Sequence, residues 1–145
     1  MKIVSKSLEE TRKTAQEILA KVSGLRMEGA TVLLLEGNLG SGKTTFVQFL
    51  AKELGIKNQI TSPTFVLIKS YRISNPVLKN LVHIDAYRLD SGQDLLALGW
   101  LELAANPGNL IVLEWPERVA NLFTGTEPKI IFKFIDEKTR EISSF

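Results

Sequence analysis

The chain contains no cysteine, which excludes disulfide scaffolds and thiolate metal sites. Long hydrophobic runs are missing too. The most apolar stretches, around Val32–Leu35 and Leu110–Leu113, fall far short of the roughly 20 residues a membrane-spanning helix needs. Met1-Lys2-Ile3-Val4-Ser5-Lys6 lacks the apolar core of a secretory signal, so the cytoplasm is the expected compartment and a membrane is not an expected partner. Neither sign of charge dominates. With 18 Lys and Arg against 16 Asp and Glu, the net charge is +2, too small to argue a nucleic-acid surface from charge alone. Low-complexity segments, repeats and Pro/Gly-rich linkers are also absent, and 145 residues suit one domain over residues 1–145.

What is present alternates between strand-like and helix-like patterns. Lys2–Ser5 reads as a short strand. Ser7-Leu8-Glu9-Glu10 reads as a capping box opening a helix. In that helix Leu8, Ala15, Ile18, Leu19 and Val22 would face a core, and Gly24 would stop it. Thr31–Glu36 has the continuous apolar character of a strand buried on both faces. A helix from Lys43 to about Leu54 follows, ended by Gly55. Phe65–Ile73, Leu81–Tyr87 and Leu110–Glu114 read as strands, Gln93–Ala105 as one helix, and Pro116 to about Phe123 as a short helix. Lys129–Ile135 and Arg140–Ser143 suit a hairpin around Asp136–Thr139. Buried strands alternating with helices predict an α/β fold of the P-loop type. Its central sheet would be largely parallel, with the first strand and the hairpin as antiparallel additions.

Between the Thr31–Glu36 strand and the Lys43 helix lies Gly37-Asn38-Leu39-Gly40-Ser41-Gly42-Lys43-Thr44. It matches G-x-x-x-x-G-K-[ST] in full and in the strand–loop–helix setting that motif requires. Gly37, Gly40 and Gly42 permit backbone angles that let successive N–H groups converge on phosphate oxygens. The helix start adds its positive end, Lys43 can reach the β- and γ-phosphates, and the Thr44 hydroxyl can ligate Mg²⁺. No N/T-K-x-D element for guanine follows, so the expected nucleotide is ATP.

Phosphoryl chemistry also needs a carboxylate for the cation and a group to place the attacking water. In α/β folds these sit at the C-terminal ends of strands. Asp85 and Glu114 both end apolar runs, Leu81–Ile84 and Leu110–Leu113. Ser62-Pro63-Thr64-Phe65 offers a hydroxyl, Thr64, that could report on the γ-phosphate as switch threonines do, or is simply a Ser-Pro turn before a strand. Trp115 follows Glu114, where it is either core or an aromatic face for adenine. His83 is the one histidine, and on a buried strand it reads as a packed, hydrogen-bonded residue.

Taken in order, Gly37–Thr45, Ser62–Phe65, His83-Ile84-Asp85-Ala86-Tyr87-Arg88-Leu89 and Glu114-Trp115-Pro116-Glu117 resemble the TsaE family, also called YjeE. The likeness covers nearly the whole chain, including Glu10-Thr11 at the first helix. It implies an ATPase of tRNA threonylcarbamoyladenosine biosynthesis, which supports the TsaD–TsaB assembly on tRNAs reading codons that begin with A. Such a protein meets tRNA only indirectly and transfers no threonylcarbamoyl group itself. By this resemblance Thr44 and Glu114 would hold Mg²⁺, and Asp85, with Lys43, would serve hydrolysis. Thr64 would be the switch residue, Trp115 and Thr45 would lie by the nucleotide, and the first helix near Thr11 with the Asp136–Thr139 hairpin would close the adenine side. Asn38 stands where the family usually has Asp, and Leu103 where it commonly has an aromatic residue. Two other classes stay open on sequence alone. One is a small-molecule P-loop kinase, although after Glu114 only Arg118 and Arg140 are available for a lid. The other is a nucleotide-dependent switch with negligible turnover.

Overall fold

The computed structural model describes residues 1–25, 27–61 and 67–145. Among them a single sheet of seven strands runs in the order β1-β7-β6-β2-β5-β4-β3. The strands are β1 (Lys2–Ser5), β2 (Thr31–Glu36), β3 (Ile68–Arg72), β4 (Asn80–Asp85), β5 (Asn109–Glu114), β6 (Lys129–Phe134) and β7 (Arg140–Ser144). β6, β2, β5 and β4 are mutually parallel. β1, β7 and β3 pair antiparallel at the margins. β1 and β7 are antiparallel additions as expected, and β3 is a further one. The first strand of the hairpin, β6, is not, because it pairs parallel with β2 and extends the parallel centre.

The apolar runs explain the parallel centre. In β2, Leu33 and Leu35 enter one core and Val32 and Leu34 the other; in β5, Leu110 and Val112 oppose Ile111 and Leu113 in the same way. A strand coated on both faces gains roughly 1.5–3 kcal/mol for each large side chain buried. Helices α1 (Leu8–Ser23) and α2 (Lys43–Glu53) cover the first face with Ala15, Ile18, Val22, Phe46, Val47 and Leu50. Helices α3 (Gly92–Ala97) and α4 (Trp100–Ala105), together with a 3₁₀ segment Pro116–Leu122, cover the second through Leu95, Trp100 and Val119.

Local chemistry sets the element ends. Ser7 Oγ accepts the Glu10 N–H at 3.2 Å. The Glu10 carboxylate reaches back to the Lys6 N–H at 2.7 Å, one residue before the usual partner in a capping box. Leu8 does not join the core: it is 61% exposed, and Thr11 and Thr14 are buried instead. Their hydroxyls make this possible by donating to the helix's own carbonyls, Thr11 to Ser7 O at 3.2 Å and Thr14 to Glu10 O at 2.9 Å. The single helix expected over Gln93–Ala105 is broken in two, because Gly99 adopts φ 97°, a left-handed conformation that ends one helix and starts another at an angle. β4 stops at Asp85 rather than Tyr87. The Asp85 carboxylate accepts the Tyr87 N–H at 3.0 Å, an Asx turn that takes the backbone out of the sheet. No helix among the described residues is long and apolar enough to cross a membrane.

Candidate functional site

β2, β4 and β5 are parallel, so their C-terminal ends share one edge of the sheet. β2 feeds the loop at 37–42, and α2 begins at Lys43. Gly42 caps α2 at φ 103° with no side-chain hydrogen bond to the first turn, which leaves those backbone N–H groups directed at whatever binds there. Ser41 Oγ is buried and lacks a hydrogen-bond partner among the described residues. A Cβ added at Gly37 would lie 2.6 Å from both Phe132 O and Ser41 Oγ, so the loop is folded too tightly for a side chain there. These features suit a polyphosphate, an acceptor-rich anion that satisfies several donors at once.

Lys43 is 5% exposed. Its ammonium donates to Gly37 O and lies 3.8 Å from the centroid of the Trp115 ring. Burial pushes its pKa below the ordinary lysine value, while the charges of Glu114, Glu117 and Asp85 oppose that shift. Trp115 reaches this position through a left-handed backbone, φ 62° and ψ 51°, which costs a residue with a Cβ about 1–2 kcal/mol. The strain is held by the Trp115 N–H donating to Leu35 O at 3.3 Å and by packing of its ring on Tyr87, centroids 4.9 Å apart. The indole thus lies against the Lys43 ammonium.

Asp85 and Glu114 are register partners at the ends of β4 and β5, which sets the two carboxylates side by side. Glu114 is 3% exposed and His83 fully buried, and His83 Nε2 lies 2.6 Å from Glu114 Oε2. The histidine therefore fixes one carboxylate oxygen, while its Nδ1 has no partner among the described residues. Burial pushes the Asp85 pKa above the ordinary carboxylate range. The Tyr87 N–H works against that shift, Glu114 adds to it, and His83 and Lys43 oppose it.

Leu39, Gly40, Ser41, Gly42, Lys43, Thr44, Thr45, Asp85, Glu114, Trp115 and Arg140 line one cleft of ≈ 270 Å³. Two larger surface hollows, of ≈ 660 Å³ each, lie around residues 72–80 and 48–60; neither has a carboxylate, so size does not mark the chemistry here. Thr44 and Glu114 border the same cleft and fit Mg²⁺, which takes one or two protein oxygens and completes its shell from phosphate and water. Thr11 is not part of the cleft. It is fully buried with its hydroxyl 2.7 Å from Ser5 Oγ, beneath the start of α1. The groove between that start and the hairpin, ≈ 420 Å³, is lined by Lys6, Ser7, Leu8, Glu137, Lys138 and Arg140. Ser62–Val66, and Thr64 with them, lie outside the described residues. Sequence patterns did not reveal the His83–Glu114 bond or the placement of Arg140 in the cleft, since both depend on which strands become neighbours.

The family model for threonylcarbamoyl adenosine biosynthesis protein TsaE matches residues 5–142. The chain belongs to the TsaE family. Its place is therefore in tRNA threonylcarbamoyladenosine biosynthesis. The tRNA threonylcarbamoyladenosine biosynthesis protein TsaE of Treponema pallidum is 37% identical over 145 residues, covering 99% of this chain and 98% of that one. The protein of the same description from Bacillus subtilis is 34% identical over 125 residues, covering 86% and 75%. The crystal structure of Bacillus subtilis YdiB has a TM-score of 0.73 at 28% identity, covering 99% of this chain and 83% of that one. The TsaE likeness thus spans both strand ends that carry acids, the loop between β2 and α2, and the closing hairpin.

Proposed function

We propose that this TsaE-family chain is a Mg²⁺-dependent ATPase, acting as one P-loop domain that works with the TsaD–TsaB assembly in modifying tRNAs that read codons beginning with A. One observation carries the reading: the donor-rich loop, Lys43 and the adjacent carboxylates Asp85 and Glu114 line one cleft. The loop amides and Lys43 bind and orient the β- and γ-phosphates. Thr44 and Glu114 hold the magnesium, with His83 keeping Glu114 in position. Held there, Mg²⁺ would supply neutralisation of phosphate charge. Asp85, the neighbour of Glu114 in register, orients the attacking water. Thr64 follows the γ-phosphate in this reading, and the groove beside Leu8, not the Trp115 ring, takes the adenine. Such a role places the work in the cytoplasm, with tRNA met through the partners.

Hydrolysis by the isolated chain is expected to be slow and to rise with TsaD–TsaB present, because partner contacts would complete a site that lacks a γ-phosphate arginine among the described residues. The test is phosphate release, with and without TsaD–TsaB, for the parent and for Asp85→Ala. The variant should bind ATP normally and turn over roughly 10²- to 10⁴-fold more slowly, the loss of one positioned catalytic group. Parental turnover by Asp85→Ala with partners present would remove Asp85 from the chemistry. Phosphate passed to a metabolite instead of water would favour a kinase.

A further inference from the structure

We propose that Arg140 binds the phosphates that remain with the nucleoside after hydrolysis, and so governs how tightly the chain holds ATP and ADP alike. The inference rests on the ATP reading above and adds a residue to it. β7 runs antiparallel to β6, so its first residue, Arg140, emerges at the same sheet edge as the phosphate loop. There its guanidinium lies directly on the loop backbone. A Cβ added at Gly42 would overlap Nη1 and fall 3.1 Å from Cζ and 3.2 Å from Cδ. Arg140 lines the phosphate cleft and also the groove beside Leu8. It forms no ion pair among the described residues, although Lys2, Arg12 and Lys129 do. A half-buried guanidinium without a carboxylate, set where loop amides converge, is a fork for two phosphate oxygens.

Strand order says which phosphates. In the sequence β7-β6-β2-β5-β4, the loop follows β2, Asp85 and Glu114 lie on the β5 and β4 side, and Arg140 lies on the β7 side. The reacting end of a triphosphate belongs beside the acids, where cation and water are held. Its opposite end must then run toward Arg140, with the Leu8 groove beyond it. Arg140 therefore meets phosphates shared by substrate and product. This separates it from an arginine finger, which would touch the γ-phosphate and act on turnover.

Calorimetric titration with ADP and with the β,γ-imido analogue of ATP, each with Mg²⁺, tests this in the parent, Arg140→Ala and Arg140→Lys. Arg140→Ala should weaken both ligands by a similar factor, roughly 10- to 100-fold, the loss of one or two charge-assisted hydrogen bonds. Arg140→Lys should recover only part, since an ammonium lacks the fork. With TsaD–TsaB, kcat at saturating ATP should not fall. Unchanged or tighter binding in Arg140→Ala would overturn the proposal, the second result marking Arg140 as a plug. So would a loss confined to the triphosphate analogue together with a collapse of kcat. Arg140→Gln, which retains the stem and a polar tip, repeats the comparison should the alanine variant unfold. If the parent bound neither nucleotide, the ATP reading itself would fall, a result visible before any variant is made.

Discussion

Lys43→Met separates binding from folding, because the two should respond differently. Burial disfavours the Lys43 charge, so removing the charge relieves a cost. Removing the ammonium loses the bond to Gly37 O and the contact with the Trp115 ring, the latter worth about 0.5–2 kcal/mol. Methionine keeps the apolar stem and offers sulfur to the same ring for about 0.3–1.5 kcal/mol. The opposing effects leave unliganded stability within about 1 kcal/mol of the parent, or roughly 2–4 °C in Tm for a chain of this size. Phosphate binding has no such compensation. Losing a charge-assisted hydrogen bond of about 2 kcal/mol weakens ATP by about 30-fold. With ATP at about 100 times its Kd, the parent gains about 2.7 kcal/mol, a rise of roughly 5–11 °C. At the same concentration the variant stands near 3 times its Kd and gains about 0.8 kcal/mol, roughly 2–3 °C. Thermal unfolding of both proteins with Mg²⁺, with and without ATP, measures all four values. A variant whose Tm still climbed by the parental increment would show that Lys43 carries none of the phosphate grip. One that lost several kcal/mol before any nucleotide was added would make Lys43 a structural residue instead.

His83→Leu leaves the buried Glu114 carboxylate without its 2.6 Å partner; urea unfolding should show a loss of about 1–3 kcal/mol, the cost of a buried polar group left unpaired. The double variant with Glu114→Gln should recover part of that loss, and strict additivity of the two changes would deny the coupling. Gly42→Ala must hold a Cβ at φ 103° and displace Arg140. It should lose about 1–2 kcal/mol of stability along with nucleotide binding, and intact binding in a titration would contradict the packing of Arg140 on the loop. Burial alone would raise the Glu127 pKa, but the N–H groups of Thr124 and Gly125, Glu127's own N–H and the Thr124 hydroxyl together hold it below the ordinary value. A depressed carboxylate contributes stability that is present above the unfolded pKa and lost as pH falls through the folded one. Glu127→Gln should therefore melt below the parent at pH 7, the gap closing in acid; a gap independent of pH would refute that origin.

Local chemistry determined much of this protein before any tertiary contact was considered. The spacing of glycines, lysine and threonine between an apolar run and a helix matches the phosphate-loop pattern from local sequence alone. Double-sided burial of β2 and β5 follows from four apolar residues in a row. Local pattern misled where partners matter: Leu8 has helical spacing yet faces a groove, and Gly99 breaks a helix whose apolar periodicity runs on. The tertiary structure alone decided that Asp85 and Glu114 stand in register, that His83 holds Glu114, and that Arg140 rests on Gly42. Strand order and register bring those residues together across long stretches of chain. Such neighbours are chosen by the packing of whole faces, a constraint that no residue's own sequence surroundings contain.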